Sequence, residues 1–335
     1  MRLLIIGGTS FLGRHTAEIA LSRGWTVTTF NRGRSGADVD GVEVVRGDRD
    51  DDAALKQLTD RLFDVVVDTC GFVPRVVAKS AATLASSGAH YVFVSSISAT
   101  PTWPAEPTPE GLDGQPCSSD AGPEDGDYGV LKAGCERAVT EVFGDGSTIA
   151  RAGLILGPHE NVGRLPWWLD RMARGGEVLA PGDPDVPMQL VDARDLAAFM
   201  LDCGERRVPG TFNATAPAGN ITFGRWLQDC LEVTGSDGRL TWVDDDLLLA
   251  HEVEPWTELP LWMPPGQEAD AVWLADTSRT QAAGMRNRPV RETVADTWAW
   301  IQTGGTPPTK PAHDLPEHGL DPEKEAAILA AWHSQ

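Results

Sequence analysis

The chain has 335 residues, in which 49 acidic side chains outnumber 28 lysines and arginines and give a formal net charge of −21. This charge excludes nucleic acid as an expected partner, because binding a phosphate backbone requires a basic protein face. The length is sufficient for a large hydrophobic core and for two lobes.

The pattern of apolar residues, cysteines and histidines predicts a cytoplasmic protein without a metal or a membrane partner. No run of about 18 apolar residues is present to span a bilayer, and the amino terminus is typical of a strand rather than of a signal peptide. The five cysteines lack C-x-x-C spacing, which favours a reducing compartment and no zinc site. The seven histidines form no ligand cluster.

Strands and helices are predicted to alternate from the amino terminus onward. The predicted strands are 2–6, 25–30, 42–45, 65–68 and 90–96. The predicted helices between them are 14–23, 51–61 and 76–86. This β-α-β-α order predicts an α/β protein with a doubly wound parallel sheet, which binds its ligands at the carboxyl ends of the strands.

A glycine-rich turn follows the first predicted strand and precedes the first helix, which is the context of a dinucleotide fingerprint. Backbone N–H groups at such a helix start hold a pyrophosphate. The candidate cofactor residues here are Gly7, Thr9, Ser10, Phe11, Leu12 and Gly13. Ser10 replaces the middle glycine of G-x-x-G-x-x-G, and its side chain either holds the phosphates further away or adds a hydroxyl contact. The alternative is a tight turn without a ligand.

The ends of the next strands supply further cofactor candidates. The second strand ends in Asn31 and Arg32, with Arg34 nearby and no acidic residue at that position. Because arginine suits a 2′-phosphate, we expect NADP(H) to be preferred and NAD(H) to be the alternative; a solvated arginine pair would explain the same residues. Later strand ends contribute a further set of candidates, which are Asp48, Arg49, Thr69 and Cys70.

Tyr128 and Lys132 form a Tyr-x-x-x-Lys motif in a chain that has only two tyrosines. On a helix, residues four apart share a face, so the ammonium group can lie beside the phenol. A positive charge there favours the phenolate and lets the tyrosine exchange protons near neutral pH. The alternative is a surface tyrosine and lysine on an ordinary helix.

Taken together, these motifs resemble the short-chain dehydrogenase/reductases, in the extended or atypical branch that includes the NAD-dependent epimerase/dehydratase type. The resemblance covers roughly residues 1–300. It rests on the turn 7–13, on Asp48, on Ser95-Ser96 and on Tyr128 with Lys132, and it continues through 151–158, 191–197 and 212–213. The Ser10 departure resembles an atypical subgroup that also contains plastid RNA-associated proteins.

The resemblance implies a Rossmann fold and assigns the catalytic roles. Ser96 polarises the substrate carbonyl or hydroxyl, with Ser98 as the competing candidate. Tyr128 is the acid/base, and Lys132 also holds the nicotinamide ribose.

Two positions depart from the nucleotide-sugar epimerases of this branch. By resemblance, an asparagine is expected where Leu154 stands and an arginine where Met188 stands. A sugar diphosphate would bind poorly without such charge-assisted contacts, which favours a less charged substrate. The residues that could substitute for the missing anchors are Arg164, Arg171 and Arg174.

The domain prediction places residues 1–159 and 186–215 in the nucleotide-binding domain. A smaller substrate-binding lobe comprises 160–185 and 216–302, and 303–335 forms a linker and a last helix that packs on the body or on another subunit of a homodimer. Segment 101–127 is either a lid over the site or a passive surface loop. The substrate candidates, besides Ser98 and Met188, are His159, Trp167 and Trp168.

Three functions fit these residues. The leading one is an NADP-dependent reductase or dehydrogenase that transfers hydride to or from a carbonyl or alcohol of a small organic substrate. The second is a nucleotide-sugar epimerase or dehydratase with tightly bound NAD. The third is a non-catalytic nucleotide- or RNA-associated protein, which the acidic charge and the complete catalytic set disfavour.

Overall fold

The computed structural model describes residues 1–266, 271–306 and 318–335. In chain order its strands are β1 (Arg2–Ile6), β2 (Thr26–Asn31), β3 (Glu43–Arg46), β4 (Val65–Asp68), β5 (His90–Ser96), β6 (Ser147–Ala152), β7 (Leu154–Leu156), β8 (Glu177–Pro181), β9 (Pro187–Met188), β10 (Leu190–Asp192), β11 (Gly210–Ala214), β12 (Ile221–Thr222), β13 (Arg239–Val243), β14 (Pro255–Trp256) and β15 (Leu259–Pro260). Its helices are α1 (Phe11–Ser22), α2 (Asp52–Leu55), α3 (Pro74–Leu84), α4 (Tyr128–Phe143), α5 (Arg164–Ala173), α6 (Ala193–Arg206), α7 (Phe223–Thr234), α8 (Asp245–Ala250), α9 (Ser278–Ala282), α10 (Val290–Gln302) and α11 (Pro322–Trp332).

The main sheet has seven parallel strands in the order β11-β6-β5-β4-β1-β2-β3. Its central strands are almost entirely apolar and are buried, because helices cover both faces of a parallel sheet. The strand order reverses after β1, so the carboxyl ends of β1 and β4 flank the switch point at which such sheets bind nucleotides. The predicted doubly wound Rossmann fold is confirmed.

The segment 151–158, which carries part of the family resemblance, belongs to two strands. It is divided between β6, in the main sheet, and β7, which pairs with β10 outside it. Gly153 separates the two, and a Cβ there would lie 2.5 Å from the Thr215 hydroxyl oxygen. The chain therefore leaves the sheet at a point where only glycine fits.

A second core lies beyond the sheet and is formed mainly by residues from β7 onward. Helices α5 and α7 and the β8–β13 pair contribute buried residues such as Trp168, Leu179 and Trp226. Helix α11 packs on this lobe of the same chain, where Glu325 accepts hydrogen bonds from the Arg171 side chain at 2.8 and 3.0 Å.

The last part of the chain contains helix α11. Asp321 caps this helix by accepting from two backbone N–H groups, and Pro322 is its first residue. Most of the predicted linker, residues 307–317, lies outside the described residues. No helix in the described ranges is long and apolar enough to cross a membrane.

Candidate active site

The glycine-rich turn forms a cradle against the end of β4. Gly7 and Gly8 have φ angles of +111° and +97°, which favour glycine. A Cβ on Gly13 would lie 2.8 Å from the Gly8 backbone nitrogen, and one on Gly7 would lie 2.5 Å from the Thr69 hydroxyl oxygen. The turn is thus as compact as a pyrophosphate site requires, with backbone N–H groups at the start of α1.

Ser10 occupies the N-cap position of α1 in an extended conformation, yet its hydroxyl makes no capping hydrogen bond. Thr9, Phe11 and Leu12 are buried, and Phe11 has a φ of +38°. The Ser10 hydroxyl is therefore not committed to the helix, which fits the predicted contact with a phosphate.

The end of β2 separates its three candidate residues. Asn31 is buried, and its side chain accepts from the Gly33 backbone at 2.9 Å and contacts Arg46. Arg32 is about half exposed and lies 3.7 Å from the exposed Asp48 carboxylate, and Arg34 is also exposed. Arg32 and Arg34 are thus accessible to a ligand, whereas Asn31 holds the loop.

Arg49 belongs to a buried cluster beneath the cradle. Its guanidinium donates to both Asp68 oxygens at 2.8 and 2.7 Å, and the Tyr91 hydroxyl donates to the same carboxylate at 2.8 Å. The Cys70 thiol lies 3.9 Å from Arg49, and burial raises the pKa of that thiol. Arg49 thereby stabilises the strand ends, and its contact with a cofactor stays a prediction.

The catalytic helix α4 begins at Tyr128. Asp127 caps it by accepting from the Val130 backbone at 2.9 Å, so the first residue faces outward with 53 % of its surface exposed. Lys132 is buried, with 4 % exposed, and its ammonium group donates to the carbonyls of Gly71 at 2.8 Å and Val94 at 2.5 Å. The lysine thus joins α4 to the ends of β4 and β5.

The two candidate serines form a pair at the end of β5. Their hydroxyl oxygens lie 2.7 Å apart, and Ser96 also accepts from the Ser98 backbone at 3.2 Å. A Cβ on Gly129 would lie 2.2 Å from the Ser98 carbonyl oxygen. Glycine beside Tyr128 therefore allows the serine pair to pack directly against the start of α4.

A buried network that sequence reasoning missed lies under these residues. Glu136 accepts from the Ser95 hydroxyl at 2.5 Å and from Arg151 at 2.8 and 2.7 Å. Arg151 also donates to the Leu112 carbonyl at 2.6 Å. The available signal was spacing, because Glu136 follows Lys132 by one helical turn.

Segment 101–127 is attached to the rest of the protein rather than free. Thr108 exchanges backbone hydrogen bonds with Leu274 and Asp276 at 3.1 and 2.9 Å. Glu110 accepts from the Thr280 hydroxyl at 2.6 Å and from backbone N–H groups at the start of α9. These contacts fix the segment between the serine pair and the second lobe, and its role as a lid stays a prediction.

The lobe presents an unusual pair of charges beside Tyr128. Glu160 is fully buried, and its carboxylate accepts from the backbones of Arg164 at 2.9 Å and Leu165 at 3.3 Å. Burial raises the pKa of Glu160 to about 7. Burial also lowers the pKa of Arg164, although electrostatic interactions with Glu160 and Tyr128 partly oppose this shift. Sequence reasoning missed Glu160, whose position just before a helix was its only signal.

The remaining substrate candidates lie in different surroundings. Trp168 and Met188 are 0 % exposed in the lobe core, and the Trp168 indole donates to the Pro260 carbonyl at 2.8 Å. Trp167 packs against Trp168 and Gly319. His159 packs between the rings of two residues on α1 and α10, with its centroid 5.6 and 4.9 Å from theirs. The structure thus places Trp168 and Met188 in the core rather than at an open surface.

Comparison with known proteins gives a family and a fold. Residues 3–214 match the model of the NAD dependent epimerase/dehydratase family. No curated protein sequence matches the chain.

Solved structures with the same fold include three proteins under 20 % identical to this chain. WbmH of Bordetella bronchiseptica, in complex with NAD⁺, has 17 % identity and a TM-score of 0.69, with 91 % of this chain and 99 % of that chain covered. UDP-glucose 4-epimerase of Thermotoga maritima, with UDP-glucose, has 18 % identity and a TM-score of 0.67, with the same coverage. UDP-N-acetylglucosamine 4-epimerase of Bacillus cereus has 17 % identity and a TM-score of 0.65, with 90 % and 99 % covered.

Proposed function

The chain belongs to the NAD dependent epimerase/dehydratase family, and we propose that it is a nucleotide-sugar epimerase or dehydratase that uses a bound nicotinamide dinucleotide. The observation that carries the proposal is the start of α4, where the exposed Tyr128 is followed by Gly129, which packs against the Ser98 carbonyl of the serine pair. The names of similar structures, which include UDP-sugar 4-epimerases, support the substrate class.

The residues present fit a dinucleotide. The cradle of Gly7, Gly8 and Gly13 leaves room for a pyrophosphate where any Cβ would collide with its neighbours. When bound, the dinucleotide supplies the hydride acceptor and donor for a carbon of the sugar. Arg32 and Arg34, exposed at the end of β2, support a preference for NADP(H) over NAD(H).

Side chains of the protein itself transfer the proton. Tyr128, as its phenolate, takes the proton of a sugar hydroxyl and becomes the phenol, which returns the proton when the carbonyl is reduced again. Ser96 donates a hydrogen bond to the reacting sugar oxygen, and Ser98 orients the Ser96 hydroxyl through the 2.7 Å contact between the two hydroxyl oxygens. Lys132, fixed by two strand-end carbonyls, holds a positive charge one helical turn below the phenol.

The test begins with the purified protein. We expect it to retain a dinucleotide and to interconvert UDP-sugar epimers, or to dehydrate one, without net consumption of added cofactor. Tyr128→Phe should lower turnover at least about 100-fold while leaving dinucleotide binding intact, because a positioned acid/base contributes roughly 10²–10⁴-fold. A Tyr128→Phe variant with wild-type turnover would remove the proposal.

An NADP-dependent reductase of a less charged substrate is the second candidate. It is favoured by apolar Leu154 and fully buried Met188, which stand where polar anchors for a sugar diphosphate are expected. This candidate predicts that NADPH absorbance falls in proportion to added carbonyl substrate. Retention of oxidised cofactor with no such fall would favour the epimerase instead.

A further inference from the structure

Within the residues that the structure describes, the Arg164 guanidinium at the edge of the candidate site forms no hydrogen bond. Its Nε is inaccessible to solvent and is unbonded within residues 1–266, 271–306 and 318–335, and no hydrogen bond from its guanidinium is found in those ranges. A buried donor left unpaired costs roughly 1–3 kcal/mol, more when it is charged. The unpaired Arg164 guanidinium thus lowers the stability of the folded protein, and its presence indicates that it binds a ligand.

The other arginines considered for the same role are different. Arg171 is paired with Glu325 and donates to the carbonyls of Gly175 and Glu177. Arg174 is exposed at the far end of α5, about 15 Å along a helix that rises 1.5 Å per residue. Arg164 is thus the remaining candidate of the three.

The surroundings of Arg164 come from three parts of the chain. Its Cζ atom lies 6.0 Å from the centre of the Trp256 ring, and both Tyr128 and His318 interact with it electrostatically. Glu160 is the carboxylate that interacts with it electrostatically, although the two side chains form no ion pair within 4.0 Å. An anion that reaches Tyr128 from the cleft would meet this guanidinium in a poorly solvated position, where charge-assisted bonds are strongest.

We propose that Arg164 binds a phosphate group of the substrate and that Glu160 takes up a proton from solvent when it does so. The proposal rests on the proposed function and deepens it. Arg164 replaces the polar anchors that are absent at Leu154 and Met188. The proton neutralises the Glu160 carboxylate, so that it no longer repels the incoming anion or competes with it for the Arg164 guanidinium.

The charged groups around the pair determine how the proton is assigned. Glu160 and Arg164 face each other at the start of α5. Tyr128 from α4 and His318, which precedes α11, also face Arg164. Burial and Arg164 lower the pKa of His318, so this imidazole is mostly neutral at pH 7.5. His159, although next to Glu160 in sequence, faces a group on α1. That group consists of Arg14, His15 and Glu18.

The experiment is calorimetric titration of the dinucleotide-loaded protein with UDP-glucose, whose phosphates keep constant charge between pH 6 and 8. Titrations at pH 7.5 in buffers of different ionisation enthalpy measure the protons taken up. We expect up to one proton per site in the wild type and affinity that falls as pH rises from 6 to 8. Arg164→Gln should weaken binding roughly 10- to 100-fold, as expected for loss of a charged hydrogen bond, and Arg174→Gln is the matched control.

Glu160→Gln separates the two parts of the proposal, because the amide oxygen can still accept from the start of α5. We expect it to abolish proton uptake and the pH dependence of affinity. Uptake that persists in this variant would assign the proton to His318 and overturn the role of Glu160. Equal binding by Arg164→Gln and Arg174→Gln, or no binding of UDP-glucose to the wild type, would overturn the anchor. Retained dinucleotide with Tyr128-dependent turnover would leave the catalytic part of the proposed function standing in either case.

Discussion

Glu136→Gln tests whether the buried network under the serines stabilises the site. Three donors converge on the Glu136 carboxylate, from Ser95 and from two nitrogens of Arg151. Glutamine has nearly the same shape but only one acceptor oxygen. Its amide group would therefore face a donor, and the guanidinium would lose its counter-charge.

The expected cost is large because Arg151 cannot regain water. It is 2 % exposed, and within the described residues its one acceptor besides Glu136 is the Leu112 carbonyl. Removing one partner of a buried ion pair typically costs about 3–5 kcal/mol. Because the unfolding entropy is about 2.1 cal/mol/K per residue, or about 0.7 kcal/mol/K for 335 residues, we expect the melting temperature to fall by about 4–7 °C.

The assays are urea denaturation, for the unfolding free energy, and thermal denaturation, for the melting temperature, both followed by tryptophan fluorescence. Glu141→Gln, an exposed position on the same helix, is the matched control and should change the unfolding free energy by less than about 0.5 kcal/mol. The double variant Glu136→Leu/Arg151→Met should recover much of the loss, because it leaves no buried charge unpaired. A cost below about 1 kcal/mol for Glu136→Gln would refute the reasoning, since it would mean that the guanidinium finds other partners.

Three further predictions concern the site. Gly129→Ala places a Cβ 2.2 Å from the Ser98 carbonyl oxygen and should lower kcat/KM about 100-fold, as expected when a catalytic group is displaced by about 1 Å. The control is Gly134→Ala, whose Cβ would lie 2.6 Å from the Cys117 sulfur; it should destabilise α4 yet keep activity within about threefold. Arg32→Ala should weaken NADPH binding about tenfold more than NADH binding in fluorescence titrations, and equal effects would contradict the assignment to the 2′-phosphate. Because the pKa of Glu160 is raised to about 7, its protonated form contributes stability that is complete below about pH 4 and is lost as pH rises through 7. Relative to Glu160→Gln, the wild type should therefore lose about 2.5 kcal/mol of unfolding free energy between pH 5 and 8, and parallel pH profiles would show that Glu160 titrates normally.

The sheet was predictable because its strands are continuous apolar runs followed by polar turns. Strands β1, β4 and β5 have the predicted limits, since burial on both faces leaves a clear sequence signal. The division between β6 and β7 had no such signal. It depends on Thr215, which lies more than sixty residues from Gly153 and meets it only in the folded chain.

The site divides in the same way between local and long-range information. The Tyr128–Lys132 spacing lies within one helix and the serine position ends a predicted strand, so both were available from local pattern. Local pattern did not show whether an arginine side chain is paired with an acidic group. Arg49 and Arg164 are both candidate anion ligands by sequence, yet the terminal nitrogens of Arg49 are bonded to Asp68, whereas no hydrogen bond from the Arg164 guanidinium is found in the described ranges.

The unequal burial of the two tyrosines makes Tyr128 a natural reporter group. Tyr91 is fully buried and bonded to Asp68, and burial raises its pKa well above 10. Tyr128 is 53 % exposed. A reagent such as tetranitromethane should therefore nitrate one tyrosine in the folded protein, and the yellow nitrophenol would record, without mutation, whether a ligand covers the cleft.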